Sequence, residues 1–365
     1  MKKSLTALAV LAVAGAASAQ SSVTLFGLID ATYQNLRGDG NSSLSRLHNS
    51  GYSSSRLGFR GTEDLGGGMS ASFWLEAGMG NDSGTGGATN TNNQTSGGAL
   101  AGIGGGQGLT FARRSTVSLA GGWGELRVGR DYVPTFWNLV RFDPFGLNGS
   151  GQAGNLMIGA GLGTTRSADL VTAARASNSI GYFLPNKLGG FYGQAMYAMG
   201  ENPSNAAAGT ESDGNHWGAR LGYDTGPFSV AVSYGNTVRA AGDYRAMNLG
   251  GSWDFGVAKV MAQYARDEIK AAVTAVQTSW LLGSRIPMGA GEIRLSYISA
   301  DVANKDGADE LAVGYVYNLS KRTALYTTYA RVNNKGSGVL FHNGRAATAA
   351  GGSTTGLDIG VRHSF

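Results

Sequence analysis

From residue 22 to the terminal phenylalanine, segments of about ten residues alternate apolar and polar side chains with period two, which constrains the fold more than any other feature. Period two is the signature of a strand, whose successive side chains leave opposite faces. Sixteen such segments are readable, at 22–34, 52–62, 68–79, 111–120, 124–131, 174–184, 189–199, 215–224, 227–236, 245–254, 256–267, 276–286, 290–301, 307–318, 322–333 and 354–365. The first sets Val23, Leu25, Gly27, Ile29, Ala31 and Tyr33 against Thr24, Phe26, Leu28, Asp30 and Thr32. The last sets Leu357, Ile359, Val361, His363 and Phe365 against Asp358, Gly360, Arg362 and Ser364. In "SSSRLGFRGTEDLGGG", residues 53–68, Arg56, Gly58 and Arg60 share one face while Leu57 and Phe59 share the other. A sheet in water would turn the leucine and phenylalanine into a core. In a barrel standing in lipid the directions reverse: the apolar face meets hydrocarbon and the polar face lines the interior.

The connections choose between these readings. Short ones such as "AGGWG", "DTGP", "DFG", "PMGAG" and "NLSK" alternate with long ones such as 80–108 and 333–354. Turns at one rim and long polar loops at the other describe a membrane barrel with an even number of strands. Sixty glycines against 6 prolines suit close-packed sheet and turns rather than helix, where each glycine costs roughly 0.8–1 kcal/mol against alanine. The fold class predicted is all-β, a sixteen-stranded antiparallel transmembrane barrel without a second domain. The connection 132–173 is long yet rich in aromatic and aliphatic residues, so it should fold onto or into something. A barrel of this size has an aqueous channel that such a segment can narrow.

Residues 1–19 have the basic, apolar and small-residue order of a signal peptide, with cleavage expected after Ala19 and the barrel occupying 20–365. The apolar run is too short for a spanning anchor, which needs about twenty residues. Cysteine is absent, which excludes disulfides and thiolate metal sites. The formal charge is +5, or +3 without Lys2 and Lys3, and 21 of the 29 basic residues are arginine. That balance suits fixed cationic positions.

The phrases "SSVTLFGLIDA", "SRLGFRGTEDLGGG", "VGRDYVPTF", "FDPFG", "RASNSIGY", "LSKRTALYTTYARVNNKG" and "DIGVRHSF" resemble the general porins of Gram-negative outer membranes, most closely their β-proteobacterial branch. The resemblance implies a homotrimer of sixteen-stranded barrels in outer-membrane lipid, exported through the periplasm, each with a water-filled pore narrowed by an inward-folded third loop. It further implies an arginine cluster on the wall, falling here on Arg56, Arg114 and Arg175, and a terminal Phe365 that signals assembly. Alternation places the same three arginines on the lumen face, opposite Leu57 and Phe59, Val117 and Leu119, and Ile180 and Tyr182. The second loop departs from the family by its length and glycine content, which leaves open how the trimer is latched.

A ring of fixed positive charge sets a barrier to cations, so the function expected is passive diffusion of small hydrophilic solutes with preference for anions. Glu76, Asp131 and Asp143 are the candidate opposing charges, although Asp131 sits where strand becomes loop and Asp143 can instead close a turn before Pro144. Arg60, Arg127, Arg220 and Arg294 are secondary lumen charges, or merely solvate the wall. A channel dedicated to a sugar or a particular anion is the alternative, and an adhesin or enzyme displayed on a barrel is a third. His48, His216, His342 and His363 have no ligand spacing, and "GIGGGQG" lacks the lysine and helix of a phosphate loop. No catalysis, metal, cofactor or nucleic-acid partner is expected.

Overall fold

The computed structural model describes residues 22–97, 108–162 and 171–365; the expected signal peptide and most of the "GIGGGQG" stretch lie outside the described residues. Among the described residues, alternation is realised as eighteen strands. They are β1 (Ser22–Gly38), β2 (Leu44–Asn49), β3 (Arg56–Gly66), β4 (Met69–Gly80), β5 (Thr85–Gly86), β6 (Arg114–Gly121), β7 (Gly124–Tyr132), β8 (Arg175–Phe183) and β9 (Phe191–Ala198), followed by β10 (His216–Thr225), β11 (Phe228–Thr237), β12 (Asp243–Asp254), β13 (Lys259–Lys270), β14 (Thr274–Met288), β15 (Gly291–Val302), β16 (Ala308–Asn318), β17 (Thr323–Asn334) and β18 (Ser353–Ser364).

All but the short β2 and β5 form a closed antiparallel barrel of sixteen strands, each paired with its sequence neighbours. Closure runs through β1, which meets β18 from Leu28 opposite Ser364 to Gly38 opposite Thr354. Its other edge meets β3 from Ser22 to Leu28 and β2 from Ala31 to Leu36, so β2 continues the column that β3 leaves. Closing the sheet removes both edges, which would otherwise expose unpaired backbone groups to lipid. Beyond the sequence reading, β1 is longer at its upper end, and β2 and β5 are additional.

The outer face follows from the alternation. Val23, Leu25, Val117, Leu221, Leu282 and Ile359 are exposed, while Asp30, Thr32, Ser118, Gln263, Gln277 and Asp358 on the opposite face are buried. Aromatic pairs Trp123–Tyr182, Phe191–Tyr223 and Phe228–Trp253 gather near the short turns, as the girdle of a membrane barrel requires. Gly256 and Gly289 serve those turns with φ of +80° and +59°, values that penalise a side chain. Among the described residues no helix is long and apolar enough to cross a membrane.

Among the described residues, the connection after β7 contains one α-helix, α1 (Pro134–Arg141), which the alternation did not reveal. Pro134 opens it, where its fixed φ suits the first turn and its missing N–H costs nothing. The segment then lies against the buried-parity face of the later wall. Asn248 donates to the Thr135 carbonyl at 3.0 Å, Gln263 to that of Leu139 at 3.1 Å, and Gln277 to that of Leu156 at 2.6 Å. Asp358 accepts from the Ser150 amide at 2.6 Å. Leu139, Leu156, Met157 and Leu162 pack with Leu281, Ile298, Val302, Val332 and Phe341 in the largest buried apolar cluster.

Wall glycines make the seat. A Cβ on Gly250 would stand 2.2 Å from the Phe142 ring, one on Gly283 would stand 2.5 Å from Pro144, and one on Gly314 would stand 2.9 Å from Phe145. Each apolar residue of "FDPF" thus occupies a place on the wall that only a missing side chain leaves free.

Candidate functional site

At the long-loop ends of β3 to β8 the chain brings three guanidinium groups to one carboxylate and one phenol. Arg113, the residue before β6, donates from Nε to Glu76 Oε1 at 2.6 Å and from Nη2 to the Tyr132 hydroxyl at 2.7 Å. Arg175, the first residue of β8, donates from Nη2 to the same hydroxyl at 2.8 Å and from Nε to the Arg113 carbonyl at 2.9 Å. Its guanidinium carbon lies 4.3 Å from the centre of the Tyr132 ring. Arg56, the first residue of β3, lies 3.4 Å from Glu76 Oε1 and donates to the Ser54 carbonyl at 2.9 Å. Trp74 Nε1 completes the Glu76 carboxylate at 3.1 Å.

The electrostatic balance is uneven. A single carboxylate cannot neutralise three guanidinium groups, which remain charged at any accessible pH. The two arginines sharing Tyr132 therefore sit close to each other, held by the hydroxyl oxygen between them. Arg113 and Arg175 line a cavity of about 620 Å³, whose other walls include Phe136, Leu147, Asn148 and Gln152 of the long connection.

The third arginine differs from the sequence reading. Arg114 has the lumen parity expected of it, but it lies outside the group formed by Arg56, Arg113 and Arg175. It bonds Thr116 Oγ1 at 3.0 Å, lies 3.8 Å from Asp131 and covers Trp74 at 4.6 Å. Glu76 is paired with Arg114 in the ladder, and the Arg113 amide also bonds the Glu76 carbonyl. At residue 113 the chain is leaving the ladder, so strict alternation no longer fixes its side-chain direction. The arginine doublet at a strand end is the signal that marked the position.

Asp131 and Asp143 lie elsewhere than in the arginine group. A register shift between Gly129 and Asp131 turns Asp131 inward. There Arg127 holds it at 2.6 Å while also gripping Glu125 at 2.9 Å and covering the Phe183 ring at 3.9 Å. Asp143 is fully buried and accepts from the amides of Phe145, Leu147 and Ala153 at 2.9, 2.8 and 3.1 Å. It closes the turn before Pro144, as the alternative sequence reading had it, and faces no arginine of the group. Burial pushes its carboxyl up, against the amide donors and Arg285, which pull it down.

The secondary arginines are dispersed. Arg60 lies 5.2 Å from the rings of both Phe26 and Trp74. Arg294 pairs with Glu292 and covers Tyr52 at 4.5 Å. Arg220 lies between Tyr192 and Trp137. Sequence reasoning missed Arg113, Tyr132 and the wall amides Asn248, Gln263 and Gln277. Polar residues at lumen parity are ordinary in such a wall, so nothing singled the amides out. Phe365 pairs at the seam, its amide to the Gly27 carbonyl at 3.0 Å and its carbonyl to the Gly27 amide at 3.3 Å.

Comparison with known proteins gives one answer throughout. Residues 4–337 match the Gram-negative porin family. Outer membrane porin protein 32 of Delftia acidovorans is 40% identical, with 100% of each chain covered. An outer membrane porin protein of Bordetella pertussis is 31% identical, also over 100% of both. Among solved structures, an anion-selective porin from Comamonas acidovorans superposes with a TM-score of 0.79 at 37% identity, covering 95% of this chain and 100% of that one.

Proposed function

The chain belongs to the Gram-negative porin family, β-barrel channels of the outer membrane, and on that premise we propose a diffusion pore for small hydrophilic solutes that prefers anions and selects them at Arg56, Arg113 and Arg175. The observation that carries the reading is the excess of guanidinium over carboxylate beside the cavity. Fixed cations in a narrow, low-dielectric passage repel mobile cations and concentrate anions. Phe136, Leu147, Asn148 and Gln152 of the segment 133–162 share the cavity with Arg113 and Arg175, which supports reading that segment as the inward third loop that narrows the channel. The anion selectivity of the Comamonas acidovorans protein supports the same assignment.

The test is the triple variant Arg56→Gln, Arg113→Gln, Arg175→Gln, recorded as single channels in a KCl gradient. The reversal potential should move toward the cation side with modest change in conductance. An unchanged potential would place selectivity elsewhere.

Assembly as a homotrimer is part of this reading, with the exported form beginning at Gln20. Gentle detergent extracts should then yield a heat-sensitive trimer, and monomer alone would count against it.

A further inference from the structure

The cavity beside the selecting arginines has a second basic wall. Besides Arg113 and Arg175 it is lined by Arg46 and His48 of β2, both only half-buried. The ladder register explains why these two face it. Arg46 stands opposite Gln34 and His48 opposite Thr32, β1 residues of the buried, inward parity, whereas Leu47 between them stands opposite the exposed Tyr33 and is itself 72% exposed. β2 thus turns its two basic side chains into the lumen and leaves its leucine outside.

The two residues differ in how their charge is settled. Arg46 donates from Nε and Nη2 to Gln34 Oε1 at 2.9 and 2.6 Å, and Gln34 Nε2 donates to Asp358 Oδ1 at 2.9 Å, so one neutral amide links a fixed cation to a buried carboxylate. Asp358 also accepts from the Ser150 amide and hydroxyl. The charges acting on His48 are Arg46 on its own strand, Asp82 in the turn between β4 and β5, and Asp358 on β18. One cation against two carboxylates leaves an excess of one negative charge on this wall while the imidazole is neutral, and a proton on His48 cancels it. Histidine is the side chain whose ordinary titration, near about pH 6.5, makes that change within the accessible range.

We infer that His48 is a specificity-determining residue of the pore, whose protonation on the cavity shared with Arg113 and Arg175 strengthens the preference for anions in acid. Arg113 and Arg175 carry a charge that pH does not alter, so they set the constant part of the field on a passing ion. His48 supplies the variable part. The inference rests on the proposed pore running through this cavity, and it adds a control by pH to the selection assigned to the arginines.

Reversal potentials of the purified full-length protein in a dilute KCl gradient, recorded at pH 8 and at pH 4.5, test it. The ratio of anion to cation permeability should rise on acidification, and the rise should be about twofold greater in the parent than in His48→Gln, the effect of one unit charge acting on an ion across about 8 Å of water. His48→Lys, which fixes the positive charge and serves should the glutamine variant not fold, should exceed the parent ratio at pH 8 by about the same factor. Equal rises in the parent and His48→Gln would assign the pH dependence to carboxylates and overturn the inference. A parent ratio that does not move with pH overturns it too, as does His48→Lys matching the parent at pH 8. Failure of the anion preference itself would appear separately, as a cation-side potential in the parent at both pH values whatever the size of the step.

Discussion

Two arcs of the same wall use polarity in opposite ways. From β3 to β8 the inner face carries Arg56, Arg113, Arg114 and Arg127, paired with the carboxylates of Glu76, Glu125 and Asp131, and Arg175 beside them on the Tyr132 hydroxyl. From β12 to β18 it carries Asn248, Gln263, Gln277 and Asp358, each bonded to the backbone of the segment that lies across it. Both arcs meet the demand for a polar interior, but a neutral amide can satisfy one buried peptide group without a charge to desolvate. A guanidinium costs more to bury and in return projects a field. Seating and selecting are therefore divided between two sets of residue types. Two charged residues depart from this division: Asp358, and Arg285, which donates to the Pro144 and Asp143 carbonyls at 2.8 and 3.1 Å.

The division breaks most completely if the seat is filled. Gly283→Leu and Gly250→Leu should displace Pro144 or Phe142, raising single-channel conductance and lowering the thermal midpoint, with overpacking worth about 1–3 kcal/mol. Conductance and melting temperature at the parent values would show that the glycines are not needed as seats.

Glu76→Gln probes the other arc. Removing the carboxylate shared by Arg56 and Arg113 should shift the reversal potential further toward anions and reduce stability, since two guanidinium groups lose their counter-charge. A shift toward cations would reverse the assigned field. A finer comparison sets Arg113→Gln beside Arg114→Gln. The first should change selectivity more, because Arg114 is directed to Asp131 and the Trp74 ring; equal shifts would erase the distinction between neighbours. The smallest expected effect is that of salt: anion preference should weaken between 0.1 and 1 M KCl as the Debye length falls from about 10 to about 3 Å.

Most of the wall was legible because each strand answers to a local rule: its two faces meet different solvents, so every second residue reports its own side. The sixteen segments read from alternation are the sixteen strands that close. The rule fails where the ladder ends. Arg113 lies just outside β6, and its direction depends on how the chain leaves Glu76 rather than on parity. Helix α1 was hidden for another reason, since its partners lie more than a hundred positions away, as the cluster of Leu139 with Leu281 and Ile298 and the Gln263 bond to the Leu139 carbonyl show. Asp143 had two open readings because an acidic residue before proline can close a turn or face a channel, and only the three amides that surround it decide.

The long reach of the Ser150–Asp358 contact, 208 residues along the chain, bears on the order of events during biogenesis. The wall can grow strand by strand from local hairpins, whereas this fastening needs β18 in place before the segment emerging from β7 can bind it. Contacts so distant in sequence form late. A nascent pore should accordingly pass through a wide, unselective stage, and the cell's permeability barrier would depend on how briefly that stage lasts.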